Sequence, residues 1–248
     1  SFCGPAANDG EVFMTQERLD QLLEAEITTI ALQRARPLTL QSIMHSTRNA
    51  GELANLLYDE LPVRYAQRIE MLESLPSWET TPRIASVRQM YVTSFKELRM
   101  VDPSQPAAFL EKVKFIKARH LHTNLLVGGF KQYAKSKELS EQQINEWLDR
   151  FFTLRISTNL LISQYIEMCE PSAIKEDDPY RSTISDRCNA YQIARHAADV
   201  TTALSQHWYG CSPEIRVTDA GAAPFTFVPR YLFYILSELL KNSVRATV

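Results

Sequence analysis

The fold is decided by one long stretch, SEQQINEWLDRFFTLRISTNLLISQYIEMC, which runs from residue 140 to residue 169. Ser140, followed three residues later by Gln143, is a capping-box pattern that satisfies backbone N–H groups at the start of a helix. Behind it, mostly apolar residues recur every three or four positions, the spacing of one helix face. These are Ile144, Leu148, Phe151, Arg155, Thr158, Ile162 and Tyr165. The stretch therefore predicts a long amphipathic helix that ends at about Cys169.

The remainder of the first 170 residues carries the same helical spacing, punctuated by prolines. A helical stripe between Glu11 and Arg34 precedes Pro37. Pro62 is expected to interrupt the next helix, because proline cannot donate a helical hydrogen bond. Pro106 is expected to open a longer helix with one face made of Val113, Ile116, His120 and Val127. Several long amphipathic helices with short breaks predict an antiparallel helical bundle.

The character of the sequence changes after residue 170. Residues 171–188 are polar and contain prolines, which is typical of a linker. Asn189 is expected to cap a helix that Gly210 closes. Two strands are expected at Glu214–Thr218 and Phe225–Val228, and Pro229 is expected to begin a final helix.

The domains predicted in this way are a helical bundle at 1–170, a linker at 171–188 and the beginning of an α/β domain at 189–248. Two strands and two helices do not close a sheet core. We therefore expect the second domain to be incomplete, in a chain of α plus α/β class.

Composition excludes several classes of protein. The 248 residues are 45% hydrophobic and 23% charged, which argues against a disordered or fibrous chain. A net charge of -2 implies no general affinity for nucleic acid, and the sequence has no apolar run long enough to span a membrane. The four cysteines form no CxxC pair, which favours free thiols over a zinc site or a disulfide framework.

The last predicted helix carries a polar stripe opposite its apolar face. Glu238 and Asn242 lie four residues apart, so their side chains point to the same side of the helix. A carboxylate beside an amide oxygen suits a general base next to a hard cation such as Mg²⁺. Spacing alone is equally met by a solvated helix face, and that alternative stays open at this point.

The string SELLKNSVRAT at residues 237–247 resembles the N-box helix of the GHKL ATPase superfamily, in the version found in mitochondrial protein kinases. Those kinases act on the pyruvate and branched-chain 2-oxoacid dehydrogenases. Further segments match that family in the same order along the chain. They are ELPVR at 60–64, MYVTS at 90–94, KARH at 117–120, RIS at 155–157, YGCSP at 209–213 and FVP at 227–229. The resemblance implies a helical regulatory and docking domain followed by the beginning of a GHKL-type ATP-binding domain.

The resemblance also assigns roles at the N-box. Glu238 matches the family's general base for the substrate serine, and Asn242 matches its Mg²⁺ ligand, with ATP as the second cofactor. Arg245 and Ala246 fall where the family lines the nucleotide pocket. His120 matches a histidine close to the N-box glutamate, where it would orient that carboxylate. Two alternatives stay open for His120, which are an ordinary core residue and a phosphoaccepting histidine.

Arg155 interrupts an apolar stripe and so needs a partner or an anionic ligand. In the pyruvate dehydrogenase kinases the corresponding arginine lines an allosteric pocket for small carboxylates. Tyr91, Ser94, Ile116 and His120 match other positions of that pocket. This chain departs from the pattern at Asn159 and Lys117, where the family commonly has arginine. The pocket is therefore expected to be retuned or lost, and pairing of Arg155 with a bundle carboxylate stays open.

The expected function is a serine kinase of the mitochondrial matrix that inactivates the E1 component of a 2-oxoacid dehydrogenase complex. Its expected partners are that E1 subunit, the lipoyl domain of the E2 core and a second copy of itself. The superfamily's D-x-G-x-G segment and ATP lid do not follow the N-box, and Asp219-Ala-Gly221 precedes it. We therefore expect a fragment without ATP binding. The alternative is a non-catalytic docking module, and pyruvate and branched-chain substrates both stay open.

Overall fold

The computed structural model describes residues 15–46, 49–120, 123–170, 180, 182–221 and 223–248, with the backbone alone for residues 46 and 123–126. Within these residues the chain is mostly helical, with one small sheet. The helices are α1 (Gln16–Ala31), α2 (Leu40–Ser46), α3 (Ala50–Glu73), α4 (Pro82–Arg99), α5 (Pro106–Arg119), α6 (Thr123–Ser136), α7 (Glu141–Cys169), α8 (Ala190–Tyr209) and α9 (Pro229–Thr247). A short 3-10 turn spans Trp78–Thr80, and the strands are β1 (Ser185–Cys188) and β2 (Phe225–Phe227).

Helix α7 begins with the predicted capping box. The Ser140 N–H donates to Gln143 Oε1 at 2.9 Å, and the Gln143 N–H donates to Ser140 Oγ at 3.3 Å. These reciprocal bonds satisfy two of the donors that a helix start leaves without intrahelical partners. Phe151 and Tyr165 of the predicted stripe are buried. The prediction of one long helix ending at Cys169 is confirmed.

The predicted break at Pro62 is wrong, because α3 continues through it. Proline removes one helical hydrogen bond and costs about 3 kcal/mol in a helix interior. Leu57, Leu61 and Tyr65, which flank Pro62 at helical spacing, are fully buried. Burying a large apolar side chain contributes roughly 1.5–3 kcal/mol, so three such residues outweigh the proline.

The single long helix expected after Pro106 is also wrong. Helix α5 ends at Arg119 and a separate helix, α6, begins at Thr123. Val113 and Ile116 are buried on α5, whereas Val127 belongs to α6. Helix α6 packs against α4, a contact that spacing along the sequence does not reveal.

The C-terminal elements agree with the sequence in part. Asn189 caps α8 through its side chain, which accepts from the Gln192 N–H at 3.1 Å, and Gly210 closes the helix with φ 71°. Strand β2 lies within the predicted Phe225–Val228, and it pairs antiparallel with β1. Sequence reasoning missed β1, which lies inside the predicted linker.

The predicted strand at Glu214–Thr218 is wrong, because no strand is formed there. A strand requires a neighbour with which to exchange backbone hydrogen bonds, and residues 214–218 have no such neighbour among the described residues, where the sheet contains β1 and β2 alone. The exposed side chain of Arg216 instead makes a two-bond ion pair with Glu214, at 2.7 and 3.0 Å. The sheet in the described residues therefore has two strands, and a GHKL-type α/β domain remains a prediction.

The chain divides into two compact units. The first contains the described residues of Ser1–Ala35, Asp59–Val101 and Arg119–Phe151, and the second contains those of Arg36–Tyr58, Asp102–Ala118 and Phe152–Val248. Each has its own buried apolar core, with Ile69, Ile84 and Phe95 in the first unit and Leu53, Phe109 and Ile193 in the second. The predicted domain limits at 1–170, 171–188 and 189–248 stay a prediction.

The sequence predicts that the chain has no membrane-spanning segment and that its cysteines are free thiols. No described helix is both long enough and apolar enough to cross a membrane. Cys169, Cys188 and Cys211 are free thiols, as expected, and Cys3 lies outside the described residues.

In the first unit, α4 and α6 approach each other at two glycines. A Cβ added to Gly129 would lie 2.7 Å from the Cβ of Arg83 and 3.4 Å from the Ile84 nitrogen. A Cβ added to Gly128 would meet only the far end of Arg83, at 2.5 Å from Nη1 and 3.6 Å from Cζ. Gly129 is therefore required by backbone proximity, whereas the neighbour of Gly128 is a flexible side chain that can move.

We predict that Gly129→Ala lowers the free energy of unfolding by about 1–3 kcal/mol, the usual cost of overpacking. Gly128→Ala is the matched control. It should leave stability unchanged or raise it by up to about 1 kcal/mol, because alanine is the better helix former. Urea unfolding followed by circular dichroism measures both variants. Equal losses in the two variants would contradict the close approach at Gly129.

Candidate functional site

Helix α9 carries the first candidate site. Pro229 occupies the first helical turn, where its missing N–H costs nothing, and Val228 at the N-cap is buried. Ser237 and Val244 are buried, so the helix presents a different face to solvent. Glu238 and Asn242 lie on neighbouring turns of α9, as their spacing predicted.

A cavity of about 210 Å³ lies between α8 and α9 in the second unit. Its α9 side is polar, and the α8 side contributes a mixture of apolar and hydroxyl groups. It is lined by Thr201, Leu204, Ser205, Trp208, Tyr209, Glu238, Lys241, Asn242, Val244 and Arg245. The structure thus places Glu238, Asn242 and Arg245 around one cavity, whereas Ala246 is exposed beyond Arg245.

Sequence reasoning gave no role to Lys241, which lines the same cavity. Its ammonium forms an ion pair with the Glu238 carboxylate one helical turn away, and both side chains are about one-third to two-fifths exposed, at 33% and 42%. In water-accessible surroundings such a pair contributes little to stability. Its significance lies in the chemistry, since it places a mobile cation next to the candidate base.

Two buried hydroxyl groups, one on α8 and one on α9, have unused hydrogen-bonding capacity. Thr201 Oγ1 and Ser237 Oγ are buried and make no hydrogen bond within the part of the chain that the structure describes. A buried polar group without a partner costs about 1–3 kcal/mol, so such groups are often retained for a ligand or a water. Thr201 lines the cavity directly.

The side chains at this cavity fit a metal-bound polyphosphate. Lys241 and Arg245 bring two positive charges, and Asn242 brings the neutral oxygen that Mg²⁺ accepts alongside phosphate oxygens. Three His, Cys, Asp or Glu side chains do not converge anywhere among the described residues, so a site made of protein ligands alone is not seen there. Mg²⁺ held mainly by phosphates suits this arrangement.

The second candidate site surrounds Ser94 in the first unit. The Ser94 hydroxyl donates to the Met90 carbonyl at 2.9 Å and accepts from Arg119 Nη1 at 2.9 Å. His120 Nε2 lies 2.9 Å from the same oxygen. A serine hydroxyl has one hydrogen to donate, and a serine inside a helix characteristically gives it to the carbonyl four residues earlier, which here is that of Met90. The geometry therefore assigns the proton of this contact to His120 Nε2, and a neutral His120 ring has its lone pair on Nδ1.

Aromatic rings and a buried cation enclose His120. Its ring meets Tyr91 edge-on at 4.8 Å between centroids and Tyr65 edge-on at 5.2 Å. The guanidinium of Arg68 lies over the rings of Tyr91 and Tyr65, at 5.1 and 5.5 Å from their centroids. Arg119 also pairs with Glu97 at 2.8 Å. The surroundings of His120 are thus aromatic and positively charged, and Tyr65, Arg68, Tyr91 and Ser94 are buried there.

The structure brings together part of the predicted carboxylate pocket. Tyr91, Ser94 and His120 meet in the first unit. Ile116 is buried and Arg155 is half-buried, and both belong to the second unit. Their participation in one pocket, like the action of His120 on Glu238, stays a proposal.

Sequence reasoning missed Tyr65, Arg68 and Arg119 at this site. Arg119 stood inside the KARH segment, but the pattern gave no sign that it contacts Ser94. Arg68 interrupts a buried helical stripe that includes Tyr65 and Ile69, the same signal that singled out Arg155. A search for every charge inside an apolar stripe would have found Arg68.

The hydroxyl of Tyr65 is buried and makes no hydrogen bond among the described residues. Burial is the main cause that raises the pKa of Tyr65 above its ordinary value. We predict that Tyr65→Phe raises the free energy of unfolding by about 1 kcal/mol at pH 8, because an unsatisfied group is removed. Urea unfolding at pH 8 and 10.5 measures the effect.

The advantage of Tyr65→Phe should grow at pH 10.5. Above about pH 10 the unfolded chain loses the Tyr65 proton while the folded chain keeps it, so stability falls as pH rises. Tyr133→Phe is the matched control, since the buried Tyr133 hydroxyl donates to the Pro76 carbonyl at 3.2 Å. That variant should lose about 1 kcal/mol at pH 8. A loss in both variants would show that Tyr65 has a partner.

The chain was compared with known proteins. Residues 37–185 match the family model described as mitochondrial branched-chain alpha-ketoacid dehydrogenase kinase. A mitochondrial [pyruvate dehydrogenase (acetyl-transferring)] kinase of Arabidopsis thaliana is 30% identical over 206 residues, covering 80% of this chain and 56% of the relative. Isozyme 3 of the mitochondrial [pyruvate dehydrogenase (acetyl-transferring)] kinase from Homo sapiens is 30% identical over 234 residues, which cover 86% of this chain and 57% of the relative. Isozyme 4 of the same kinase from Mus musculus is 28% identical over 248 residues, which cover 92% of this chain and 60% of the relative. The chain spans 56 to 60% of the length of these relatives.

Proposed function

Because the chain belongs to the family of mitochondrial 2-oxoacid dehydrogenase kinases, we propose that it is part of an ATP-dependent protein serine kinase. The proposed reaction phosphorylates and inactivates the E1 component of the pyruvate dehydrogenase complex or of a related 2-oxoacid dehydrogenase complex. The observation that carries the proposal is the shared cavity of Glu238, Lys241, Asn242 and Arg245. Mg-ATP, when bound, supplies the phosphoryl group.

Each side chain of the α9 cavity has a task in this proposal. Glu238 accepts the proton of the substrate serine, the work of a general base. Asn242 would hold the metal through its amide oxygen, and Arg245 and the neighbouring Ala246 would line the nucleotide site. Phosphoryl transfer depends mainly on positioning and charge neutralisation. A base, a metal ligand and a cationic side chain are the kinds of group that this reaction requires.

Lys241 links the base to the phosphate site. Its ammonium is paired with Glu238, and the same ammonium would be available to hold a phosphate oxygen of the nucleotide. A Lys241 side chain bound to phosphate would leave the Glu238 carboxylate free to accept the proton of the substrate serine. The ion pair would therefore link the availability of the Glu238 carboxylate to the presence of phosphate in the cavity.

His120 is proposed to orient the Glu238 carboxylate, the role that the resemblance implies, while Ser94 holds the imidazole through Nε2. Arg119 supports this arrangement by donating to the Ser94 hydroxyl, which uses the remaining capacity of that oxygen. A small carboxylate bound among Tyr91, Ser94, Ile116 and Arg155 would regulate the kinase from the same side chains. Asn159 in place of a second arginine makes that regulation weak.

The proposal extends to location and partners. The relatives are named as mitochondrial enzymes, which supports action in the mitochondrial matrix. The proposed partners are the E1 subunit, the lipoyl domain of the E2 core and a second copy of the chain. The competing function is a docking module that binds the lipoyl-bearing core without turning over ATP, and the kinetic test below separates the two.

We predict that Glu238→Gln in the full-length protein lowers the rate of transfer to E1 by about 10²–10⁴, the usual cost of losing a general base. Its affinity for Mg-ATP should stay near wild type. Asn242→Ala should weaken Mg-ATP binding as well as turnover. Glu214→Gln, which changes an exposed carboxylate outside the cavity, is the control and should be silent. Calorimetry with Mg-ATP and phosphate incorporation into E1 give the two readouts, and wild-type turnover by Glu238→Gln would refute the base assignment.

A further prediction concerns the tautomer of His120. Nitrogen NMR of the imidazole in this chain should show the proton of the neutral ring on Nε2. Ser94→Ala removes the acceptor of that proton and should abolish the preference. In the full-length kinase the loss should slow transfer roughly tenfold, which corresponds to one hydrogen bond of about 1.4 kcal/mol. A neutral ring protonated on Nδ1 in the wild type would contradict the assignment.

A further inference from the structure

A groove of about 370 Å³ lies where α6 turns into α7, within the first unit. Its volume falls in the range of small-molecule sites, which is about 300–1,000 Å³. The walls are mostly apolar, with charged groups at the rim. The lining residues are Val127, Phe130, Lys131, Ala134, Lys135, Glu138, Leu139, Ile144 and Leu148. The groove shares no residue with the carboxylate pocket or with the α9 cavity.

The turn that forms one wall is fixed by its backbone. Glu138 has φ 52°, in the left-handed region that few residues other than glycine adopt. The Leu139 N–H donates to the Ala134 carbonyl at 3.1 Å, and the Lys137 N–H donates to the Tyr133 carbonyl at 3.0 Å. These bonds hold Leu139 as part of the wall, so the groove is formed before any ligand arrives.

The charge at the groove favours an anion. Lys131 and Lys135 lie one helical turn apart on α6 and are both exposed. Neither ammonium takes part in an ion pair within the described part of the chain, although Glu138 also lines the groove. Two positive charges and one negative charge therefore stand beside an apolar floor. That combination matches a molecule with an apolar body and one carboxylate.

The floor of the groove is rigid. Phe130, which is buried, stacks on Trp147 at 4.3 Å between centroids with an interplanar angle of 13°. Trp147 stacks in turn on Phe151 at 5.0 Å, and its indole N–H donates to the Met71 carbonyl at 3.3 Å. A ligand that contacts Phe130 is therefore separated from Trp147 by one aromatic ring. Its binding should shift the NMR resonance of the Trp147 indole N–H.

We propose that this groove is a binding site for a medium-chain carboxylate, with the acyl chain on the Phe130 floor and the carboxylate between Lys131 and Lys135. The two ammonium groups favour a negatively charged head group, because they would repel a cation of the same chain length. The volume sets the size, since the groove accepts one short chain and is too small for a helix. The site goes beyond the proposed kinase function and requires no nucleotide.

The test uses decanoate as the probe and this chain as the protein. Calorimetry should show saturable binding, and the Trp147 indole N–H resonance should move in step with it. In Lys131→Gln/Lys135→Gln the affinity should fall about 10–100-fold, the size of one to two lost charge-assisted contacts. Lys137→Gln removes an exposed lysine that does not line the groove, and it should bind like the wild type.

Two further measurements make the outcome decisive. Leu139→Trp fills the groove from its wall and should abolish the Trp147 response, without altering a buried position. Decyltrimethylammonium has the same chain with the opposite charge and should bind much more weakly. Equal affinities of decanoate for the wild type and the double lysine variant would overturn the proposal, as would equal binding of the cation. Because no step uses ATP or E1, failure of the kinase assignment would leave this result unaffected.

Discussion

Helix α3 buries more charge than a helical bundle normally accepts, and the first unit is arranged around that constraint. Glu60, Arg64 and Arg68 recur every four residues on α3, and each is at most 5% exposed. Glu60 and Arg64 pair with each other at 3.4 Å, although burial still lowers the pKa of Arg64. Arg68 lies over the faces of two tyrosine rings. Removing charges from water is expensive, so these contacts have to be kept together.

The rings that accommodate Arg68 are the same rings that enclose His120. Tyr65 and Tyr91 present their faces to the guanidinium and meet the imidazole edge-on. The orientation of His120 therefore depends on the buried charge as well as on its own hydrogen bond to Ser94. A side chain held from two directions has little rotational freedom, which suits the positioning role proposed for His120.

Most helices could be predicted from the sequence because their causes are local. The Ser140–Gln143 capping box and the Asn189 and Gly210 caps each act within a few residues, and the structure confirms them. The errors share a different cause, which is tertiary packing. Pro62 is tolerated because its neighbours are buried, and Glu214–Thr218 forms no strand because it has no pairing partner among the described residues.

The candidate sites divide in the same way. Glu238 and Asn242 could be placed together from their spacing on one helix. The contacts of Ser94 with Arg119 and His120 join side chains 25 and 26 residues apart, and periodicity carries no information about them. The resemblance to the family pointed to Ser94 and His120. It could not reveal the donors and acceptors around the Ser94 hydroxyl, from which the tautomer of His120 is assigned.

The close approach of α4 and α6 at Gly129 has a mechanical consequence. Where long side chains separate two helices, rotamer changes absorb part of any displacement, whereas backbone packed against backbone has nothing to absorb it. Tyr91 and Ser94 lie on α4, and Phe130, Lys131 and Lys135 lie on α6. A displacement of either helix is therefore transmitted to the other almost unchanged, so that α4 and α6 move together as one rigid body.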